Sequence, residues 1–135
     1  MTCLKIDTDF LRMALKKFER PEEITMCLGE DGIELSGKTT KTIEEEIPEP
    51  PYVLKRKEIL NITEKIPIDK IKEMELSQPL CCELDGNILK NALKKKRDIG
   101  DDVTITWDDE QKALVFQQRD GVIRKIILAC NNFER

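Results

Sequence analysis

The chain has 135 residues, of which 39% are hydrophobic and 37% are charged, so it has enough apolar side chains for a core beneath a densely ionic surface. Its net charge of -4 excludes a protein that binds nucleic acid over its whole surface, but it allows a local basic patch. The absence of histidine, of a Gly-rich phosphate loop and of a G-x-S-x-G motif argues against an enzyme, and no catalytic residue is expected.

The N-terminal part of the chain carries a helix pattern. Apolar residues recur there at helical spacing and predict an amphipathic helix over about residues 9–18. Asp7 or Thr8 is the expected N-cap, because a short polar side chain can accept from the free amides of the first turn. Pro21 is expected to end this helix.

Strand and turn signals follow this helix. Alternating apolar residues over 24–28 predict a strand, and residues 30–32, with the sequence Glu-Asp-Gly, predict a hairpin turn. The next stretch, about residues 38–80, shows a less regular pattern. Its acidic and proline-rich part, about residues 41–57, is interpreted as an exposed insertion.

The second half of the chain, about residues 80–130, repeats the order of the first half, about residues 2–40. A helix is predicted over about 87–96 with Asp85 as its N-cap, and strands are predicted over 103–107 and 122–129. The matched positions of the two halves are Asp7 with Asp85, Leu11 with Leu89, Ala14 with Ala92, and Leu15 with Leu93.

This internal repeat predicts the fold class. Two copies of one unit, each with a one-sided apolar helix, predict an α+β fold built as a duplicated β-α-β-β module. We expect two adjacent helices on one side and antiparallel sheets on the other, in a single domain that spans residues 1–135. A pseudo-twofold operation is expected to relate the two helices.

The two predicted helices concentrate the positive charge of the chain. Residues 9–20 contain four cations and two acids, and residues 86–97 contain five cations and no acid. The rest of the chain is therefore strongly acidic. A row of Lys and Arg opposite an apolar stripe suits phosphate contacts without base reading, and an ordinary solvated helix face is the alternative.

Several segments resemble the first domain of the DNA sliding clamps of the proliferating cell nuclear antigen family. They are residues 75–95, residues 101–107 and residues 113–116, and the N-terminal strand, helix and hairpin are similar to the opening of the same domain. The sequence ends about where the family has the connector to its second domain. No residue is therefore assigned to the family's partner-peptide groove.

The resemblance implies a clamp-like domain whose helices face double-stranded DNA and bind it without sequence preference. The DNA-binding role would fall on residues of both helices, namely Arg12, Lys16, Lys17, Arg20, Lys90, Lys94, Lys95 and Arg97. The resemblance further implies client proteins such as a DNA polymerase or another replication or repair protein.

The resemblance also implies assembly with other copies of the chain or with a related clamp chain. Edge strands of neighbouring domains pair head to tail in this family, and the matching strands here are about 58–66 and 122–129. The second of these is an apolar edge that would favour aggregation if it stayed open.

Two hypotheses of function follow from these observations. The first is a non-catalytic, sliding-clamp-like DNA-tethering or processivity factor in DNA replication or repair. The second is a clamp-fold adaptor or regulator that binds proteins and does not encircle DNA. The mass in solution discriminates between them, because a ring needs an oligomer.

The cysteines and the ends of the chain indicate the environment of the protein. Five cysteines without a C-x-x-C pair predict reduced, partly buried thiols, and neither a metal nor a cofactor is expected. Cys81 and Cys82 are neighbours on a predicted strand and point to opposite faces. The N-terminus lacks the pattern of a signal peptide, and no apolar run is long enough to span a bilayer. We therefore expect an intracellular protein, cytoplasmic or nuclear, with no membrane partner.

Overall fold

The computed structural model, which describes residues 2–48, 51–93, 102–120, 122–130 and 133–134, consists mainly of antiparallel strands. Within these residues there are ten strands, two α-helices and one 3-10 turn. The strands are β1 (Cys3–Asp7), β2 (Glu23–Gly29), β3 (Gly32–Pro48), β4 (Pro51–Pro67), β5 (Ile71–Glu75), β6 (Leu80–Asp85), β7 (Asp102–Asp108), β8 (Ala113–Asp120), β9 (Val122–Ala129) and β10 (Phe133–Glu134). The helices are α1 (Thr8–Leu15) and α2 (Gly86–Ala92), and the 3-10 turn is Ile68–Lys70.

The strands form two five-stranded sheets. Sheet A has the order β5-β1-β7-β8-β9, and sheet B has the order β10-β6-β2-β3-β4. Helix α1 leads from β1 in sheet A to β2 in sheet B, and α2 leads from β6 in sheet B to β7 in sheet A. The long strand β4 lies at one edge of sheet B, and β9 lies at one edge of sheet A.

One buried apolar cluster holds the two sheets and the two helices together. Alternate side chains of the strands point into it, as Ile24, Met26 and Leu28 of β2 do, and the helices contribute Leu11 and Leu89. Each of these side chains is at most 1% exposed, so each stabilises the fold by roughly 1.5–3 kcal/mol through burial.

The predicted α+β fold, a duplicated β-α-β-β module with two adjacent helices, is wrong. The described part of the chain is mostly antiparallel sheet, and its two α-helices have only eight and seven residues. The physical reason lies largely in the middle of the chain. Most of the stretch about 38–80, which lacks a clear apolar period, forms strand through β3, β4 and β5.

The β3–β4 hairpin extends well beyond the rest of sheet B. Strand β2 pairs with β3 only as far as Gly37, so the outer part of β3 pairs with β4 alone. Most described side chains of this outer ribbon, over residues 41–46 and 53–61, are exposed, which explains why its sequence lacks the apolar alternation of a half-buried strand. The expected insertion at about 41–57 corresponds to this outer ribbon, whose tip residues 49 and 50 are not described.

Two ion pairs join the strands of the ribbon. Lys55 Nζ lies 3.6 Å from Glu44 Oε1, and an Arg56 nitrogen lies 2.9 Å from Glu45 Oε1. Arg56 also lies 3.3 Å from Glu58 on its own strand. The two cross-strand pairs are half exposed or more, so each stabilises the ribbon by less than about 1 kcal/mol.

The short-range strand and cap predictions are confirmed. Strands β2, β7 and β9 contain the segments predicted at 24–28, 103–107 and 122–129. Asp7 accepts a hydrogen bond from the Asp9 amide at 2.9 Å, and Asp85 accepts one from the Ile88 amide at 2.9 Å. Helix α2 ends at Ala92, earlier than predicted, because Leu93 adopts an extended conformation. No helix in the described ranges is long and apolar enough to cross a membrane.

Two of the cysteines are joined. Cys27 of β2 and Cys81 of β6 form a disulfide, whereas Cys3, Cys82 and Cys130 are free thiols. The expectation that all cysteines are reduced is therefore wrong for this pair. The disulfide can form because the register of the β2–β6 ladder places Cys27 directly opposite Cys81.

Candidate nucleic-acid interface

Helix α1 and the segment that follows it present a cationic surface. Leu11 and Leu15 turn the apolar face of the helix into the core, with 0% and 2% exposure. Lys16, Lys17 and Arg20, which follow the last residue of α1, are exposed, and Arg12 on the helix is half-buried. We call Arg12, Lys16, Lys17 and Arg20 the α1 cations.

The α1 cations are not neutralised by the part of the chain that the structure describes. None of their side chains forms an ion pair or a hydrogen bond with a described residue. Some cations elsewhere are paired, such as Lys72 with Asp102 at 2.6 Å and Lys112 with Asp109 at 2.9 Å. The α1 cations can therefore meet an external anion without first giving up an internal partner.

Hydrogen bonds to the carbonyl groups of Phe18 and Glu19 anchor the segment after α1. Phe18 O accepts a hydrogen bond from Lys90 Nζ at 2.6 Å. Glu19 O accepts from the Thr39 hydroxyl and from the Thr40 amide, the latter at 3.3 Å. These bonds fix the segment against α2 and β3.

Arg20 occupies an unusual backbone conformation at the end of this anchored segment. Its φ is 46°, in the left-handed region that non-glycine residues rarely adopt. Such a residue persists where the surrounding structure determines it, and it often marks a functional position. The hydrogen bonds to the preceding carbonyl of Glu19 supply that constraint.

Lys90 is held differently from the α1 cations. It was predicted to contact DNA, but its ammonium group donates to the Phe18 carbonyl and its side chain is half-buried. In this position Lys90 joins α2 to the segment after α1. The other predicted cations of the second helix, Lys94, Lys95 and Arg97, lie outside the described residues.

A test of this tether is the substitution Lys90→Met. Methionine keeps the length of the side chain but leaves the Phe18 carbonyl without its donor, so the free energy of unfolding should fall by about 1–3 kcal/mol. Urea unfolding followed by circular dichroism measures this change. Lys16→Met, at an exposed position whose side chain has no partner among the described residues, is the matched control and should stay within about 0.5 kcal/mol of wild type. Equal stability of both variants would show that the tether contributes nothing.

A groove on the outer face of sheet B adjoins Arg20. It has a volume of about 360 Å³, and its lining includes Arg20 and Lys38 together with Glu22 and Glu23. Lys38 is a neighbouring cation that the sequence prediction missed. It stands just beyond the last β3 residue that pairs with β2, and strand pairing rather than any local motif brings it beside Arg20.

Among the described residues, no group of three or more His, Cys, Asp or Glu side chains is arranged to hold a metal ion. The acids of the turn after β7 are engaged locally, since Asp108 accepts from the amides of Glu110 and Gln111. The solvent-facing cations are thus the main chemical feature of the site.

Comparison with known proteins adds no family assignment. No protein-family model matches the sequence, and no curated protein matches it. The resemblance to the DNA sliding clamps therefore stays a prediction that rests on the segments named above.

Proposed function

We propose that the chain is a non-catalytic, sliding-clamp-like DNA-tethering or processivity factor that acts in DNA replication or repair. The observation that supports this most is the set of α1 cations, which are solvent-facing and unpaired within the described residues. Phosphate groups of duplex DNA are the anions that such a row of long cationic side chains suits best. The anchored segment after α1 carries three of these cations, Lys16, Lys17 and Arg20.

The charge distribution of the chain supports contact that is weak and sequence-independent. Lys and Arg reach phosphates from a helix face without entering the grooves where bases are distinguished. The net charge of -4 means that the rest of the surface repels DNA, so contact is confined to the cationic face. A tether that moves along DNA needs weak, sequence-independent contact of this kind, confined to one face of the protein.

The function is tested by the salt dependence of duplex binding. Four phosphate contacts from the α1 cations predict that log K falls with log salt with a slope of about -3.6 or steeper. Fluorescence anisotropy with labelled duplexes of unrelated sequence measures both the slope and the sequence preference. Affinities should agree between sequences. Binding that does not respond to salt, or no binding at low salt, would contradict the proposal.

Self-association through two open sheet edges is the second part of the proposal. Among the described residues, β4 pairs only with β3, and β9 pairs only with β8. Both edges carry exposed apolar side chains, with Ile59 of β4 72% exposed and Ile127 of β9 45% exposed. Beside β9 lies a shallow groove lined by Asn87, Ile88, Asn91, Ala92 and Ile126. An open apolar edge favours pairing with another strand.

The assembly is tested with two edge variants, Ile59→Lys and Ile127→Lys. A charged side chain on an edge strand opposes strand pairing, so each variant should be monomeric where wild type is oligomeric. Analytical ultracentrifugation measures the masses.

A mixture of the two variants tests whether the contact between copies is head to tail. In a head-to-tail contact each variant keeps one intact edge, so the mixture should form a dimer but no larger assembly. A monomeric wild type at high micromolar concentration, or a mixture that stays monomeric, would contradict head-to-tail assembly.

A protein-binding adaptor that does not encircle DNA is the second candidate. The observation that favours it is the exposure of Phe10 (41%) and Met13 (61%) on α1, beside the α1 cations. Exposed apolar side chains next to Lys and Arg suit a protein contact better than a phosphate contact. A monomeric mass together with no duplex binding at low salt would favour the adaptor over the tether.

A further inference from the structure

The disulfide between Cys27 and Cys81 lies on the outer face of sheet B. The neighbours of the two cysteines along their strands, Met26 and Leu28 on β2 and Leu80 on β6, point into the core and are at most 3% exposed. Strand geometry turns Cys27 and Cys81 to the opposite face, where both are partly exposed. Their Cα atoms are 4.1 Å apart.

An open groove adjoins the disulfide. Its volume is about 360 Å³, and it is lined by both cysteines and by the ends of neighbouring strands, including Gly29, Pro67 and Pro79. A small thiol compound can therefore approach the sulfur atoms without displacing the apolar core. Exposure of this kind is what separates exchangeable disulfides from buried ones.

The two cysteines remain opposed whether or not the bond is formed. The β2–β6 ladder runs from the pair Glu23 with Asp85 to the pair Leu28 with Leu80, on both sides of the disulfide. This ladder does not depend on the sulfur atoms. After reduction it holds the two thiols opposite each other, so that the bond can form again.

The thiol that follows Cys81 in the sequence is kept out of the exchange. Cys82 follows Cys81 directly but points into the core and is 0% exposed. Burial raises the pKa of the Cys82 thiol far above its usual range, and a hydrogen bond with Cys130 raises this pKa further. A thiol that stays protonated is a poor nucleophile, so Cys82 does not compete with Cys27 for Cys81.

We propose that Cys27 and Cys81 form a redox-active pair that undergoes thiol–disulfide exchange with small dithiol reductants while the protein stays folded. A thiolate of the reductant attacks one cysteine sulfur, forms a mixed disulfide and releases the other cysteine as a thiolate. The second thiolate of the reductant then breaks the mixed disulfide and closes a cyclic disulfide. Two electrons pass from the reductant to the protein, and the two cysteine thiolates take up the two protons that the reductant gave up.

This exchange controls how firmly two distant parts of the chain are joined. Strand β2 belongs to the first half of the chain and β6 to the second, and 54 positions separate the two cysteines. In the oxidised state a covalent bond reinforces the ladder between them. In the reduced state the ladder alone joins them, so local opening of β2 from β6 becomes more frequent.

The proposal is tested by reduction under native conditions. Purified protein is exposed to dithiothreitol at increasing low urea concentrations, quenched by alkylation and digested for mass spectrometry. We expect the Cys27–Cys81 cross-linked peptide to disappear at a rate that low urea does not change. A rate that rises with urea in proportion to the unfolded fraction would overturn the proposal, because the bond would then open only by global unfolding. Alkylation of Cys27 and Cys81 without reductant would also overturn the proposal, because it would show that the two thiols are free and not joined.

Reversibility and its structural effect provide a second measurement. Transfer of the reduced protein to oxidised dithiothreitol should restore the cross-linked peptide without denaturant. For amides that exchange by local opening, exchange should be roughly tenfold faster in β2 and β6 of the reduced protein and unchanged in β7 and β8. Cys27→Ser is the matched control, and its exchange should not respond to the reductant. Failure to re-form the cross-link, or equal exchange in both redox states, would overturn the proposal, whatever the outcome of the DNA-binding tests.

Discussion

Reversing the charge of Lys16 and Lys17 together should weaken binding to a short DNA duplex at low salt by at least about tenfold, or about 1.4 kcal/mol. Both side chains are exposed and unpaired within the described residues, so the substitutions Lys16→Glu and Lys17→Glu break no internal contact there. Two phosphate contacts are lost and two repulsions are added. The slope of log K against log salt should also become shallower by about 2.

The matched control for this experiment reverses two cations elsewhere. Lys55→Glu with Lys112→Glu changes the net charge by the same amount, but both lysines already pair with acids, at 3.6 Å and 2.9 Å. The control should bind with nearly the wild-type slope. Equal weakening in both double variants would show that the net charge of the chain, rather than the α1 cations, determines the affinity. Circular dichroism of each variant verifies the fold.

Lys90 is left out of the charge-reversal variant for a structural reason. Its ammonium group donates to the Phe18 carbonyl, so Lys90→Glu would remove a tether and place a carboxylate next to a carbonyl oxygen. Any loss of DNA binding would then mix a local structural change with a lost phosphate contact. Lys16 and Lys17 avoid this ambiguity.

The features that sequence alone predicts here are those that depend on near neighbours. The alternation at Ile24, Met26 and Leu28 determines which face of β2 is buried, and these side chains are 0–1% exposed. Both N-caps follow from an Asp just before a helical pattern. The turn at residues 30–32 ends in Gly32, whose φ of 127° suits glycine alone.

The features that sequence did not predict depend on distant parts of the chain. The outer β3–β4 ribbon has a charged composition typical of a loop, because it pairs along its own two strands and most of its described side chains are exposed. The role of Lys90 depends on the Phe18 carbonyl, 72 positions earlier. The disulfide depends on the register of β2 against β6, which no local pattern around Cys27 or Cys81 encodes.

The cationic surface lies between these two cases. Helical spacing predicted that Arg12 and Lys16 lie opposite the apolar stripe, and the structure has Arg12 half-buried and Lys16 exposed. It did not predict that the segment through Arg20 is anchored to Thr39 and Thr40 of β3. Spacing along one helix therefore predicts which cations face outward, and tertiary contacts decide which of them are held in place.

Replacing Cys81 with serine should lower the free energy of unfolding by about 4 kcal/mol, because the disulfide closes a loop between residues 54 positions apart. The loss arises mainly in the unfolded chain, which gains conformational freedom when the loop is opened. For a protein of 135 residues this corresponds to a fall in Tm of roughly 10 °C or more. Urea unfolding and calorimetry without reductant measure both quantities. Cys3→Ser, which removes a free thiol, is the control and should change stability by less than about 0.5 kcal/mol.

A double-mutant cycle separates the disulfide from the individual side chains. If the bond is the cause, Cys27→Ser alone, Cys81→Ser alone and the two together should lose nearly the same stability, because either substitution removes the whole cross-link. Wild type in the presence of excess reductant should then match the variants. Losses that add in the double variant would show that the two side chains act independently through packing on the face of sheet B, and that the covalent bond does not stabilise the fold.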